Sequence, residues 1–385
     1  MPDTVQRTAT PGGHSPAVDN EHQPKPVTGR IIGIDVARGI ALLAMIIAHL
    51  YPLKGFAGAF LEGFPSALFA VLSGISMTII FSKRGAVDVF IRGIILVLIG
   101  IVVTPYAGTI IVVLKALGIG YIVFALLQIP RWSTKWGATG FAVLLAVSGI
   151  VHVITLHTTL HTLLREPYPI VTWLAYMAAG VLFAHWLRNN NWQITPLSAT
   201  GFLVAAAGAV ISVVGVLARD WIDSAYAVAT RNNLGIAVHG FFDAKPHSGG
   251  LVDALATIAG SLTVILLCLL LVQTDRWVFP LKAMGSMALT VYLGHVISAG
   301  IINRGHIATQ YPELAIGTIV VAVVGTSIWA MFFRYGPLEY VLGLVARTGA
   351  NAVAGITGKR SGNDGNNHAD KTSENLTTTS TTTNH

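Results

Sequence analysis

Between Ile31 and Phe333 the chain passes through ten apolar runs, near Ile31–Leu50, Phe64–Phe81, Val89–Thr104, Val112–Ile129, Gly137–Thr155, Ile170–Leu187, Leu197–Leu217, Leu251–Gln273, Ala283–Ile302 and Leu314–Phe333. A bilayer core needs about 17 to 25 apolar residues per helix, and most of these runs have that length. Charged residues make up 11% of the 385-residue chain and hydrophobic ones 53%. A soluble domain carries roughly 25% charged residues to wet its surface. A soluble enzyme is therefore excluded, and so is disorder of the bulk. The expectation is an all-α integral membrane protein, a polytopic bundle of about ten transmembrane helices. Pro52, Pro105, Pro130, Pro169, Pro196, Pro280, Pro312 and Pro337 punctuate the run ends, where a residue without an N–H costs least. The 40 glycines suit closely packed membrane helices.

The organisation is one membrane domain, residues 30–347, between two polar tails that read as disordered, 1–29 and 348–385. The first tail holds five prolines and the second ends TSENLTTTSTTTNH, compositions that cannot bury a core. No small-residue cleavage pattern closes the first apolar run, so a cleaved signal peptide is not expected. Cys268 is the single cysteine, which leaves no disulfide framework and no thiolate metal site. The basic balance, 24 Lys+Arg against 17 Asp+Glu, belongs to loops that orient membrane helices and not to nucleic acid. With the N-terminus inside, the inner segments carry fourteen basic residues, among them Lys83, Arg84, Arg188 and Arg347. The outer segments carry six, among them Lys54 and Arg219. Both termini are thus expected in the cytoplasm of a cell membrane, with the longest connection, about 218–250, outside. No internal repeat is visible.

Polar residues inside the spans are expensive and mark function by default. The first span, IIGIDVARGIALLAMIIAHLYP, holds Asp35, Arg38 and His49. Asp35 and Arg38 share a face; their plainer role is a self-neutralising pair near the interface. His49 is a candidate proton acceptor or acyl carrier, with an interfacial, wetted histidine as the alternative. Glu62 follows in a Gly-rich segment, and the ninth span adds His295 with Tyr292 three residues before it. In the long outer connection, AVHGFFDAKPHSGG offers His247 and Ser248 to an acceptor. Arg38, Arg92 and Arg334 lie toward the inner face, where guanidinium groups can hold phosphates; the positive-inside tendency accounts for them equally well. His157 and His161 have the spacing of two helix-borne metal ligands, with Glu166 near, but read better as an outer loop; no metal is expected.

From Arg38 to His49 is eleven residues, three turns plus about 20°, so the two share a face roughly 16 Å apart, with Asp35 on the same stripe. Leu42 and Met45 lie between them. The expected order along this face is cationic group, apolar middle, imidazole.

The stretches GIDVARGIALLAMIIAHLYP and FPSALFAVLSGISM resemble the N-terminal region of the heparan-α-glucosaminide N-acetyltransferase family. WLAYMAAGVLFAHWL, PLKAMGSMALTVYLGH and RYGPLEYVLGLVAR are similar to its bacterial YeiB-like relatives. The resemblance implies a membrane acyltransferase, most simply an acetyltransferase. It would take an acyl group from acetyl-CoA or another acyl-CoA and pass it to an extracytoplasmic glycan or glycolipid. The family's catalytic histidine maps to His49, and His295 and Asp35 complete the candidate catalytic set. Arg38, Arg92 and Arg334 would bind the donor; Glu62, Tyr292, His247 and Ser248 would receive the acceptor. Membrane lipid and a second copy of the chain are the other expected partners. The sequence departs from the family in having Glu62 as the only acid before Phe64–Pro65, and Tyr340 and Gly343 where relatives have a tryptophan and an arginine. The competing reading is a transporter or flippase using the same polar residues as a proton or substrate path; a scaffold without chemistry is the third.

Overall fold

The computed structural model describes residues 31–356 except 52, 158–168, 191, 193, 196–197, 230–232, 275 and 304–310. The expected tails, 1–29 and most of 348–385, lie outside the described residues, as do His161, Glu166, and Arg165, Arg231 and Arg304 of the orientation argument. All regular structure among the described residues is helical: α1 (Ile32–Leu50), α2 (Gly55–Leu61), α3 (Phe64–Val103), α4 (Leu114–Leu126), α5 (Thr134–His157), α6 (Ile170–Asn189), α7 (Ala199–Ala229), α8 (Asn233–Phe241), α9 (Leu251–Leu271), α10 (Phe279–Ser286), α11 (Ala288–Asn303) and α12 (Pro312–Phe332). A further helix, α13, covers residues 337–356. It runs nine residues past 347, where the tail was expected to begin.

Among the described residues seven helical stretches are long and apolar enough to cross a membrane, and the bent pair α10–α11, taken as one span, makes an eighth. The chain is a polytopic membrane bundle. One of the seven, Gly55–Tyr106, has 52 residues, far more than one crossing needs. Gly85 divides it with φ 82°, a conformation only glycine adopts at no cost. The two halves of α3 fold back as a hairpin: Tyr121 of α4 reaches Ser73 O in the first half, while Gly93 in the second half packs on Gly118 of α4. The second and third expected spans are thus both present.

The fourth is shorter than expected. α4 has 13 residues, about 20 Å of helix against a hydrocarbon core of about 30 Å. Ile110–Val112 ahead of it has no regular structure. Hydropathy does not distinguish non-helical from helical backbone, and membrane-depth irregularity is tolerated where it is buried in protein. Val112 and Val113 are buried, and the Val113 N–H donates to the Tyr292 hydroxyl at 3.1 Å. The connection expected as a loop over 218–250 is largely helical, taken up by the end of α7 and by α8.

Helices α1, α6 and α9 are the most enclosed, while α5, α7 and α12 present most of their surface outward, as lipid-facing helices do. Ile31 and Arg334 line one cavity together, so α1 begins and α12 ends at one face of the bundle, here the Ile31 end. His49 marks the opposite end.

Candidate functional site

Two polar cavities sit at opposite ends of α1. The one at the His49 end has a volume of about 160 Å³. α1 contributes Met45 and His49, the turn before α3 contributes Glu62 and Gly63, and the shortened approach to α4 contributes Ile111 and Val113. The α8–α9 connection contributes His247, and α11 contributes Tyr292. Ile111 and Val113 of the non-helical approach to α4 form part of its wall.

His295 stands behind His49. The rings are stacked with centroids 5.6 Å apart, and His49 Nδ1 lies 3.3 Å from His295 Nε2. His295 Nδ1 is 3.3 Å from Val291 O. A carbonyl oxygen only accepts, so a neutral His295 donates from Nδ1 and has a lone pair at Nε2. That lone pair takes the His49 Nδ1–H, and the His49 Nε2 lone pair is left for a proton. With those protonation states His295 would hold His49 as the Nδ1–H tautomer. Tyr292 packs edge-on against His295 at 5.4 Å.

His247 closes the cavity from the α8–α9 connection, with a left-handed backbone (φ 63°) that is costly for a non-glycine residue. Its ring approaches Gly63, where a side chain would crowd it. A hydrogen-bonded lattice holds this connection. His152 pairs with Asp243 at 2.9 Å, the Lys245 N–H donates to Asp243 Oδ1 at 2.8 Å, and Ser148 donates to Gly249 O at 2.7 Å. Arg219 donates to Ala244 O at 3.0 Å and also to Ala59 O. Burial lowers the His247 imidazole to about 4, with His49 and Arg219 pushing the same way. Burial would raise Asp243, but the His152 and Lys245 contacts outweigh it and its carboxyl is held below its ordinary value. Ser248 is buried, accepts from the Gly250 N–H at 3.1 Å, and does not line the cavity. It shapes the turn that presents His247.

The cavity at the Ile31 end measures about 360 Å³. Six cationic side chains line it, Arg38, Lys83, Arg84, Arg92, Arg334 and Arg347, with two acidic ones, Asp35 and Glu339. Arg38 pairs with Asp35 at 2.5 Å and donates to Ser76 at 3.0 Å. Arg92 pairs with Asp88, behind the wall, at 2.6 Å. Arg334 lies over the Tyr335 ring at 5.7 Å. Glu339 is committed elsewhere: its carboxylate accepts from the Leu289 and Thr290 N–H groups at 2.6 and 3.0 Å and from the Thr290 hydroxyl at 2.6 Å. It thereby caps α11 after the 81° bend, at the positive end of that helix. The lining has a surplus of four positive charges, or three with Asp88 counted, which favours a polyanion.

The structure therefore gathers His49, His295, Glu62, Tyr292 and His247 at one end, and Arg38, Arg92 and Arg334 at the other. Asp35 does not join the histidines: fourteen residues of helix, about 21 Å of rise, separate it from His49, and it is bound to Arg38. The expected stripe does face inward, with Leu42 and Met45 buried, but among the described residues packed core lies between the cavities. Leu42, Leu68 and Leu72, at the levels between them, are fully buried in the packed core. Sequence reasoning missed Lys83, Arg84, Arg347, Ser76 and Glu339 at the Ile31 end. The available signal was a cation one turn after Gly343 and an acid two residues after Pro337. Gly343 leaves the space into which the Arg92 and Arg347 guanidinium groups extend. No group of three His, Cys, Asp or Glu side chains among the described residues could hold a metal ion.

No curated protein matches the chain. Residues 237–347 match a family model described as a protein of unknown function, DUF418, the YeiB-like family; the matched stretch carries His247, Tyr292, His295, Arg334, Glu339 and Arg347, and so contributes to both cavities.

Proposed function

We propose that this membrane protein is an acyltransferase that takes an acyl group, most simply acetyl, from acyl-CoA at the Ile31 end and delivers it to a glycan or glycolipid at the His49 end. The observation that carries the reading is that one face of α1 bears a cationic cavity at one end and an imidazole paired with His295 at the other. Arg38, Arg92, Arg334 and Arg347 would hold the donor phosphates; Arg pairs with phosphate through a rigid fork of donors. His49 Nε2 would accept the proton of the acceptor hydroxyl or amine as that atom bonds to the thioester carbonyl carbon. The carbon–sulfur bond then breaks, and the thiolate leaves and takes up a proton. A transient acyl group on His49 is the other form of the same step. Glu62 at the mouth and His247 over the cavity would orient the acceptor. The positive-inside bias of the sequence supports a cytoplasmic Ile31 end in a cell membrane.

The packed core between the cavities requires Leu42 and its neighbours to part for the donor arm. A closed core between two polar cavities is also what a transporter between access states would present. Donor binding separates the two readings. Acetyl-CoA should stabilise the purified wild-type protein in a thermal shift, by mass action on the folded state. A protein that ignores CoA and responds to a proton gradient would be a transporter.

A further inference from the structure

A third cavity, of about 300 Å³, lies between α11 and α12. α12 packs on α10 and α1 and scarcely meets α11, so the two helices stand apart along the cleft. Its walls include Val291, Gly294, Val321, Ala322 and Gly325. The Thr290 hydroxyl is turned to Glu339 and that of Thr326 to Ala322 O. Among the described residues of its lining, His295 is the one ionisable side chain. Val321 is 72% exposed, as are much of Val320, Val324 and Ile328 beside it, so the cleft is continuous with the face this bundle turns to lipid. On α12 it extends from Thr318 to Trp329, eleven residues or about 16 Å, close to half of a hydrocarbon core of about 30 Å. At one end of it stands His295, in contact with His49; the other end points toward the Ile31 face.

An apolar cleft about one leaflet deep, open to hydrocarbon and reaching His295, fits one kind of occupant. We propose that the α11–α12 cleft holds an acyl chain of a glycolipid acceptor, whose sugar head lies in the cavity of His49, Glu62 and His247. This rests on the transferase reading and narrows its acceptor to a lipid-borne sugar that enters sideways from the bilayer.

The test uses the full chain in nanodiscs with a glycosyl diacylglycerol bearing a diazirine at one chain end, and a phosphatidylcholine with the same tail as comparison. After photolysis and peptide mapping, the glycolipid should label peptides covering 287–295 and 318–329 several-fold more than the phosphatidylcholine does. Gly325→Trp should lower that labelling at least tenfold. A side chain there starts into open space, so the fold is not crowded. Ala322→Phe, one turn away, is the second filling variant. Gly317→Trp, also in open space on α12 but outside the cleft, should leave labelling unchanged. Equal labelling by both lipids, or labelling indifferent to both filling variants, would overturn the proposal. Acetyl-CoA stabilisation is read in parallel and should survive in Gly325→Trp. Selective labelling without stabilisation would leave the cleft standing and remove the donor; stabilisation without selective labelling would do the reverse.

Discussion

The cavity at the Ile31 end and the cavity at the His49 end are built on the same helix face yet use charge in opposite ways. At the Ile31 end six cations face two acids, and the acids are committed, Asp35 to Arg38 and Glu339 to the start of α11. The surplus charge asks for a multiply charged ligand. At the His49 end the polar side chains are two imidazoles, a phenol, the Ser66 hydroxyl and one carboxylate, groups suited to exchanging protons. If the proposed transfer is right, donor binding and proton transfer lie at opposite ends of α1, so substitutions at the two ends should fail in different measurements.

The largest effect should come from His49→Ala. Transfer is expected to fall by two to four orders of magnitude, about the range of a general base, while acyl-CoA binding stays within about twofold. Loss of both together would break the division of labour. Next is the double variant Arg38→Ala with Asp35→Asn, chosen so that no buried carboxylate is stranded. A lost charge-assisted hydrogen bond of about 1.5–3 kcal/mol corresponds to roughly ten- to hundredfold weaker donor binding. Titration of acetyl-CoA followed by fluorescence or calorimetry measures it, and the deficit should shrink as salt is raised. Glu339→Ala should act on the fold and not on ligands, costing about 1–2 kcal/mol as helix caps do. A lower Tm with an unchanged acetyl-CoA Kd is the expected pattern.

The smallest effect concerns His247. Its folded-state value of about 4 lies below the unfolded value near 6.5, so the unfolded chain binds more protons once the pH falls under 6.5. Stability from this group is full above that pH and is lost as pH falls toward 4. The Tm of His247→Asn should therefore drop less between pH 6.5 and 4 than that of the wild type. Equal acid sensitivity would place His247 in solvent and detach it from the cavity.

Much of this arrangement was legible in the sequence, for physical reasons that differ between the two ends. Imidazoles inside apolar runs stand out one by one, so His49 and His295 were found, and helical spacing added Tyr292. Both halves of α3 were visible because the charges of Lys83 and Arg84 interrupt the hydropathy. Lys83, Arg84 and Arg347 were not recognised as cavity residues, because loop cations are expected there for orientation alone. Asp35 was grouped with the histidines by helix face, which fixes angle and not depth. Ser248 was linked to the acceptor by its neighbour His247, whereas its hydroxyl is used within the turn. The shortness of α4 left no trace in composition, since Ile110–Val113 is as apolar outside a helix as it would be within one. Yet this irregularity forms part of the wall of the cavity at the His49 end.

In the proposed transfer, donor and acceptor meet through the membrane at His49. It is tested most directly by supplying radiolabelled acetyl-CoA only to the Ile31 face of oriented vesicles that contain the protein and a lipid extract of its membrane. The account predicts label in a glycan or glycolipid fraction exposed on the opposite face, present with the wild type and absent with His49→Ala. Label transferred equally well by correctly folded His49→Ala, or none transferred by wild-type protein that binds the donor, would contradict it.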